Sequence, residues 1–326
     1  MTNHATTLNS AGQLIAAIPH LLGYYPTDSI VVLALNDHNL AFTLRTDCPA
    51  EPTLYPLLAV NLVREINRRE GLSAVVVVVG TPPDDHDLAR HLRKKFTRAG
   101  IPITLFGVPV IAPRARWFHY DDADHHGHLP DPTTSVLAAR AVAAGLVTLP
   151  SREALEAQLA PDPDDVLARR AELLHNLQHD HETERTEPTA REQVEWIRRN
   201  YVHRIADGDT SFSDTDIVRI SHALTRPDVR DECLSLLSGP HPTAAETLWT
   251  ILTRQCPPPA CTEAAALLAI SAYSRGDGAL AGIAIDRALT ADPHHDLALV
   301  LDEAFRSGMS PHHIRALIPF ANGGSV

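Results

Sequence analysis

The stretch that decides the fold is Ala74–Phe106, AVVVVVGTPPDDHDLARHLRKKFTRAGIPITLF. It opens on Ala74–Val79, a continuous β-branched run of the kind found in a strand buried on both faces. Asp84–Ala99 follows with Leu88, Leu92 and Phe96 recurring at four-residue spacing, the apolar stripe of an amphipathic helix. Ile101–Phe106 returns to strand composition. Strand, helix and strand in this order predict a right-handed βαβ unit with two parallel strands. Working outward, Ser29–Leu35 (SIVVLAL) reads as a buried strand, and Leu40–Thr46 (LAFTLRT) alternates apolar and polar residues. Asn36-Asp37-His38-Asn39 joins them as an antiparallel hairpin. Leu14–Leu22 and Leu54–Arg69 read as helices, and Arg116–Tyr120 as one more strand.

Past Leu129 the strand signals stop. Thr133–Gly145 reads as an Ala-rich helix with Gly145 at its C-cap position, and Ser151–Ala160 and Asp162–Asp180 read as the next two. His179–Thr189 is a polar linker. Helices recur at Arg191–Ile205, Ser213–Leu224, Asp228–Leu237, Thr243–Thr253 and Thr262–Tyr273, with others to Ile318. The expected fold is an α/β domain over 1–132, a mixed sheet with flanking helices. An all-α domain over 133–326 follows it. Within that domain, Glu263–Asp296 pairs Leu268, Ala269 and Ala272 on one helix face with Ala281, Ile285 and Ala288 on the next, and Pro293 follows. Small residues that let two helices pack closely, then a proline, make 263–296 a tetratricopeptide-like hairpin.

The chain carries 28 basic and 40 acidic residues, net −12, with 19 His. Residues 1–150 are nearly neutral, at net −1, and the remainder carries −11. This balance argues against nucleic acid or an anionic membrane as a partner. The best basic patch, Arg90, Arg93, Lys94, Lys95 and Arg98, is one short helix beside acidic residues. The N-terminus has no basic flank with an apolar run of signal length, and no run approaches the ~20 residues of a membrane helix. Cys48, Cys233, Cys256 and Cys261 form no C-x-x-C. Reduced thiols in a cytoplasmic protein are therefore expected.

No catalytic motif is complete. There is no G-x-G-x-x-G, no G-K-[ST] and no G-x-S-x-G, so nucleotide and hydrolase-elbow readings lack support. Asp84 and Asp85 read as a helix cap, and Ser29 as a strand-opening hydroxyl that satisfies backbone. The densest polar cluster is His119–His128, HYDDADHHGH. His119, Asp121, His125 and His126 are candidate ligands for a divalent metal, since imidazoles and carboxylates suit Zn²⁺, Mn²⁺ or Fe²⁺. A solvated loop leading to Pro130 reads the same residues. Arg45 and Asp47 alternate onto one strand face, and Arg116 and Trp117 open a later segment. These four are candidate ligand-binding residues, for an anionic or aromatic ligand. A structural ion pair is the simpler reading of Arg45 and Asp47.

Leu21-Leu22-Gly23-Tyr24-Tyr25-Pro26-x-Asp28-Ser29-Ile30-Val31-Val32-Leu33 resembles the opening signature of an actinobacterial family catalogued as domain-of-unknown-function family 4192. Leu44-Arg45-x-Asp47, Arg116-Trp117, Ser135–Gly145, Leu149-Pro150-Ser151-Arg152-Glu153 and Gly276-Asp277-Gly278…Asp292-Pro293 are similar too. The resemblance spans about residues 10–318 and implies no activity. Relatives place an adjacent Cys pair after the Arg-Trp; here the region reads DDADHH, with His125-His126 in that place. Three functions follow from these readings. The first is a non-enzymatic protein-interaction or scaffold module that takes a protein partner through its C-terminal helices. The second is a metal-dependent enzyme, such as a hydrolase, using 119–128. The third is a small-molecule-binding regulatory domain at Arg45, Asp47 and Arg116.

Overall fold

The computed structural model describes residues 10–37, 39–68, 71–82, 85–143, 147–181, 188–306 and 309. The readings at His38, Asp84, Gly145, 182–187 and 310–326 lie outside them. Two compact units result, 1–155 and 156–326.

In the first unit, α1 (Ala11–Leu22) starts at Ser10, whose hydroxyl accepts from Gln13 N, and ends at Gly23 in the left-handed region. Then come β1 (Ser29–Asn36), β2 (Asn39–Asp47), α2 (Tyr55–Asn67), β3 (Ser73–Val79), α3 (Asp85–Arg98) and β4 (Ile103–Val108). β5 (Arg116–His119), β6 (His126–His128) and α4 (Val136–Ala143) complete the series. The strands form one mixed sheet in the order β2-β1-β3-β4-β5-β6. Only β3 and β4 are parallel, as the quoted strand–helix–strand stretch predicts. The strand expected over Ile101–Phe106 forms two residues later, because Pro102 lacks the N–H a ladder needs.

Alternation sorts the side chains. Ile30, Val32 and Ala34 of β1, Val76 and Val78 of β3, and Leu105 of β4 pack in one core with Leu58, Leu62 and Ile66 of α2 and Leu88, Leu92 and Phe96 of α3. Burying each such Leu or Phe contributes about 1.5–3 kcal/mol. Val31, Leu33, Val77 and Val79 point the other way and are buried too. Both central strands are therefore covered on both faces, which is why their sequences are continuous rather than alternating.

The first unit runs past the expected boundary at 132. His20 bonds Thr148 Oγ1 at 2.8 Å and the Pro132 carbonyl at 2.9 Å. Tyr25 N donates to Leu149 O and Leu149 N to Gly23 O, so residues 148 and 149 extend the ends of the α/β core. α4 packs against α1 for the same reason.

The second unit is helical. After α5 (Arg152–Ala157) come α6 (Asp164–His181), α7 (Ala190–Ile197), α8 (His203–Ala206), α9 (Asp214–Leu224), α10 (Pro227–Glu232), α11 (Pro242–Gln255), α12 (Cys261–Ser274), α13 (Gly278–Ala291) and α14 (Asp296–Arg306). Residues 198–202 link α7 to α8 through a π turn, so the single helix expected over Arg191–Ile205 is continuous but irregular. Capping boxes start α7 (Thr189, Glu192) and α9 (Ser213, Asp216). α12 and α13 form the expected antiparallel pair. α12 is buried on every side, from Cys261 and Thr262 through Ala272, so it is the central helix of a bundle. The tetratricopeptide-like character read from its alanines is not confirmed. All four cysteines are free thiols.

Candidate functional site

The carboxyl ends of β3 and β4 are where an α/β sheet opens its crevices. At this end the chain before β1 meets the chain after β3. Asp28 has φ 41° and Gly80 φ 109°. An added Cβ on Gly80 would lie 2.6 Å from Asp28 Oδ1 and 3.1 Å from Asp28 Cα, so only glycine fits. Asp28 O accepts from Cys48 N at 2.8 Å, which ties the end of β2 to the same point.

This frame positions a polar cluster. Ser29 pairs with Asp47 across the β1–β2 ladder, and Val31 with Arg45. Alternation then puts Ser29, Arg45 and Asp47 on one face. Ser29 is fully buried. Its hydroxyl donates to Thr27 O, as a strand-opening hydroxyl should, and also accepts from Arg45 Nε at 2.9 Å. Arg45 Nη2 lies 2.6 Å from Asp47 Oδ1. The Arg45 side chain is 11% exposed and that of Asp47 77%. Nη1 of Arg45 has no partner among the described residues.

Tyr24 is buried, and Leu149 is bridged to its backbone. Its hydroxyl has no hydrogen-bond partner among the described residues. Burial pushes that phenol above its ordinary range, against the pull of Arg45 and Arg152. Glu153 is held below the usual carboxylate range by the Ser151 hydroxyl and by a backbone N–H, with Arg45 and Arg152 assisting. A guanidinium locked through Nε by Ser29 and covered on its Nη side by the exposed Asp47 carboxylate already binds one oxyanion there and has the geometry to take another in its place.

Sequence reasoning named Arg45 and Asp47 here but not Tyr24, Arg152 or Glu153. Tyr24, Ser29, Arg45, Asp47, Arg152 and Glu153 all lie in the stretches that carry the family resemblance, which is the signal that could have joined them. Arg116 and Trp117 are elsewhere. Three strands separate β2 from β5, which at ~4.8 Å per strand is roughly 19 Å. Trp117 is buried with its indole against Gly127 and Gly12, and Arg116 is exposed opposite His128. The four residues therefore do not line one site.

The His119–His128 segment folds back as β5, a tight turn and β6. His119 and His125 stack, with ring centroids 5.6 Å apart and planes at 19°, and the Phe106 ring meets both edge-on. Asp121 is drawn away, because its carboxylate pairs with Arg93 of α3. His126 pairs with Phe118 and faces the opposite side of the sheet from His119. Among the described residues no three His, Cys, Asp or Glu side chains converge as a metal centre requires. His119 Nδ1 accepts from Asp121 N at 3.0 Å. A backbone N–H can only donate, so the neutral ring carries its proton on Nε2. Burial, His125 and Arg93 hold this imidazole below its ordinary value, with Asp122 opposing them. In an NMR titration the His119 ring is expected to protonate below pH ~6.5, the unperturbed midpoint; a midpoint at or above that value would contradict the geometry.

Among the described residues no helix is long and apolar enough to cross a membrane. No curated protein and no solved structure matches the chain. The family model described as domain of unknown function (DUF4192) matches residues 12–312, and the chain belongs to that family.

Proposed function

We propose that the α/β unit is a small-molecule-binding module whose ligand presents an oxyanion to Arg45. The observation that carries this reading is the state of Arg45: nearly buried, fixed through Nε by buried Ser29, and covered on its Nη edge only by an exposed carboxylate. Asp47 is exposed and can swing into solvent, and an incoming oxyanion replaces its charge on the nearly buried Arg45, so the guanidinium is never left unpaired. Nothing in the cluster pairs a nucleophile with a base, which makes recognition rather than turnover the reading.

A thermal-shift panel of carboxylates, phosphates and nucleotides tests it. A ligand at a hundred times its Kd is expected to add about 2.7 kcal/mol of stability, and Arg45→Met is expected to abolish the shift. A panel without a single Arg45-dependent shift would remove the proposal. Docking of a protein on the helical unit has less support. There, among the described residues, Leu173, Leu299 and Val300 are the exposed large apolar side chains, too few for the apolar heart of an interface.

A further inference from the structure

The charges around Arg45 narrow the ligand, and this step rests on the binding reading above. Arg45 and Asp47 are paired at 2.6 Å on one strand face, the cation nearly buried and the anion exposed. A pair of this kind discriminates between ligand classes. A phosphate would bring up to two negative charges onto Arg45 but also beside Asp47, and like charges in one place repel. A simple amine would meet Arg45. A ligand carrying both signs leaves no charge without an opposite.

We propose that the ligand is a small zwitterion of the amino-acid kind, its carboxylate on Arg45 and its ammonium group on Asp47. Asp47 has the decisive part. In the free protein its carboxylate covers the Nη edge of Arg45 from an exposed position. An incoming carboxylate takes that edge bidentately. The displaced Asp47 remains anchored two residues away on the same strand face, where it meets the ligand's ammonium group. One ion pair is exchanged for two. Ser29 keeps the guanidinium plane fixed throughout, because its bond is to Nε and not to the edge that changes partner.

The test is titration calorimetry of the full chain with the twenty common amino acids, using propionate, ethylamine and inorganic phosphate as single-sign controls. At least one amino acid is expected to bind more than about 10-fold tighter than propionate or ethylamine. Arg45→Met is expected to weaken it about 10–100-fold, the loss of one or two charge-assisted bonds. Asp47→Asn separates the roles: it is expected to weaken the amino acid about 10-fold while leaving propionate as tight or tighter. Asp47 is exposed, so the variant folds. Arg45-dependent binding of phosphate or propionate in preference to every amino acid would overturn the zwitterion and leave the binding module standing. Equal weakening of propionate and amino acid by Asp47→Asn would overturn the exchange. No amino acid binding tighter than about 10 mM would overturn the proposal outright, while the anion panel decides the module separately.

Discussion

Arg170→Met is expected to destabilise the helical unit by about 3–5 kcal/mol, the cost of breaking a buried ion pair from one side. Arg170 of α6 is buried. Its Nε donates to Asp214 Oδ1 at 2.7 Å, and its Nη1 to Asp162 Oδ2 at 2.8 Å and to Gln255 O at 2.9 Å. One side chain thus holds the start of α9, the end of α11 and the segment that leads into α6. Removing it takes the nearest cation from Asp162 and the donor from the Gln255 carbonyl, and leaves Asp214 to Arg169 alone. That is a large share of the 5–15 kcal/mol by which a typical domain is stable. Arg169→Met is the control. Arg169 Nε bonds the other oxygen of Asp214 at 2.7 Å, but its side chain is 54% exposed, so its loss is expected to cost under about 1 kcal/mol. Urea denaturation of both variants checks the contrast, and equal costs would contradict it.

The same cluster sets a pH dependence. The Arg169 and Arg170 bonds hold Asp214 below the usual carboxylate range. A depressed folded pKa means that the unfolded chain binds the proton more readily. Its stabilisation is therefore complete above the unfolded value of about 3.9 and is lost as pH falls through the folded one. In Arg170→Met this acid-side slope is expected to flatten.

Gly80→Ala is expected to cost the α/β unit about 2–5 kcal/mol, from a strained positive φ and from overpacking against Asp28. The residue cannot rotate away, because Gly80 N is bonded to Val108 O at 3.0 Å. Asp28 cannot retreat freely either, since its carbonyl holds Cys48 N. Asp28 directly precedes Ser29, whose hydroxyl bonds Arg45 Nε at 2.9 Å. The variant is therefore expected to lose ligand response together with stability, read by the same thermal-shift panel. Full stability in Gly80→Ala would show that the Asp28–Gly80 approach does not frame the site.

Most of the fold was legible because it is written in local patterns. The valine run of β3, the Leu88, Leu92 and Phe96 stripe and the alternation of β2 each state an element and its buried face. β6 was not legible. His126-Gly127-His128 has no apolar side chain, and it is a strand because Gly127 lets the Trp117 indole lie against it, a contact no local pattern contains. The alanines of α12 suggested a repeat, but small residues serve equally to bury a central helix on all sides.

The site divides in the same way. That Arg45 and Asp47 share a face follows from period-two alternation. That Ser29 meets Arg45 depends on the β1–β2 register, which includes an irregularity at Ala34/Leu35 before the hairpin closes. That Arg116 and Trp117 stand apart depends on strand order, which a sequence does not display. Tyr24 and Glu153 are 129 residues apart, and Leu149, bridged to the Tyr24 backbone, brings the second near the first.

The most direct test of the central claim is the Arg45 side chain itself. Its Nε–H resonance in a ¹H–¹⁵N spectrum can be assigned by its disappearance in Arg45→Met. Ser29 already bonds this N–H, so it is expected to be protected from exchange in the free protein. On titration with a ligand selected by thermal shift it is expected to move progressively to saturation, with the midpoint set by the calorimetric Kd. A resonance that stays unmoved while the ligand saturates the protein would place the binding elsewhere and contradict the account.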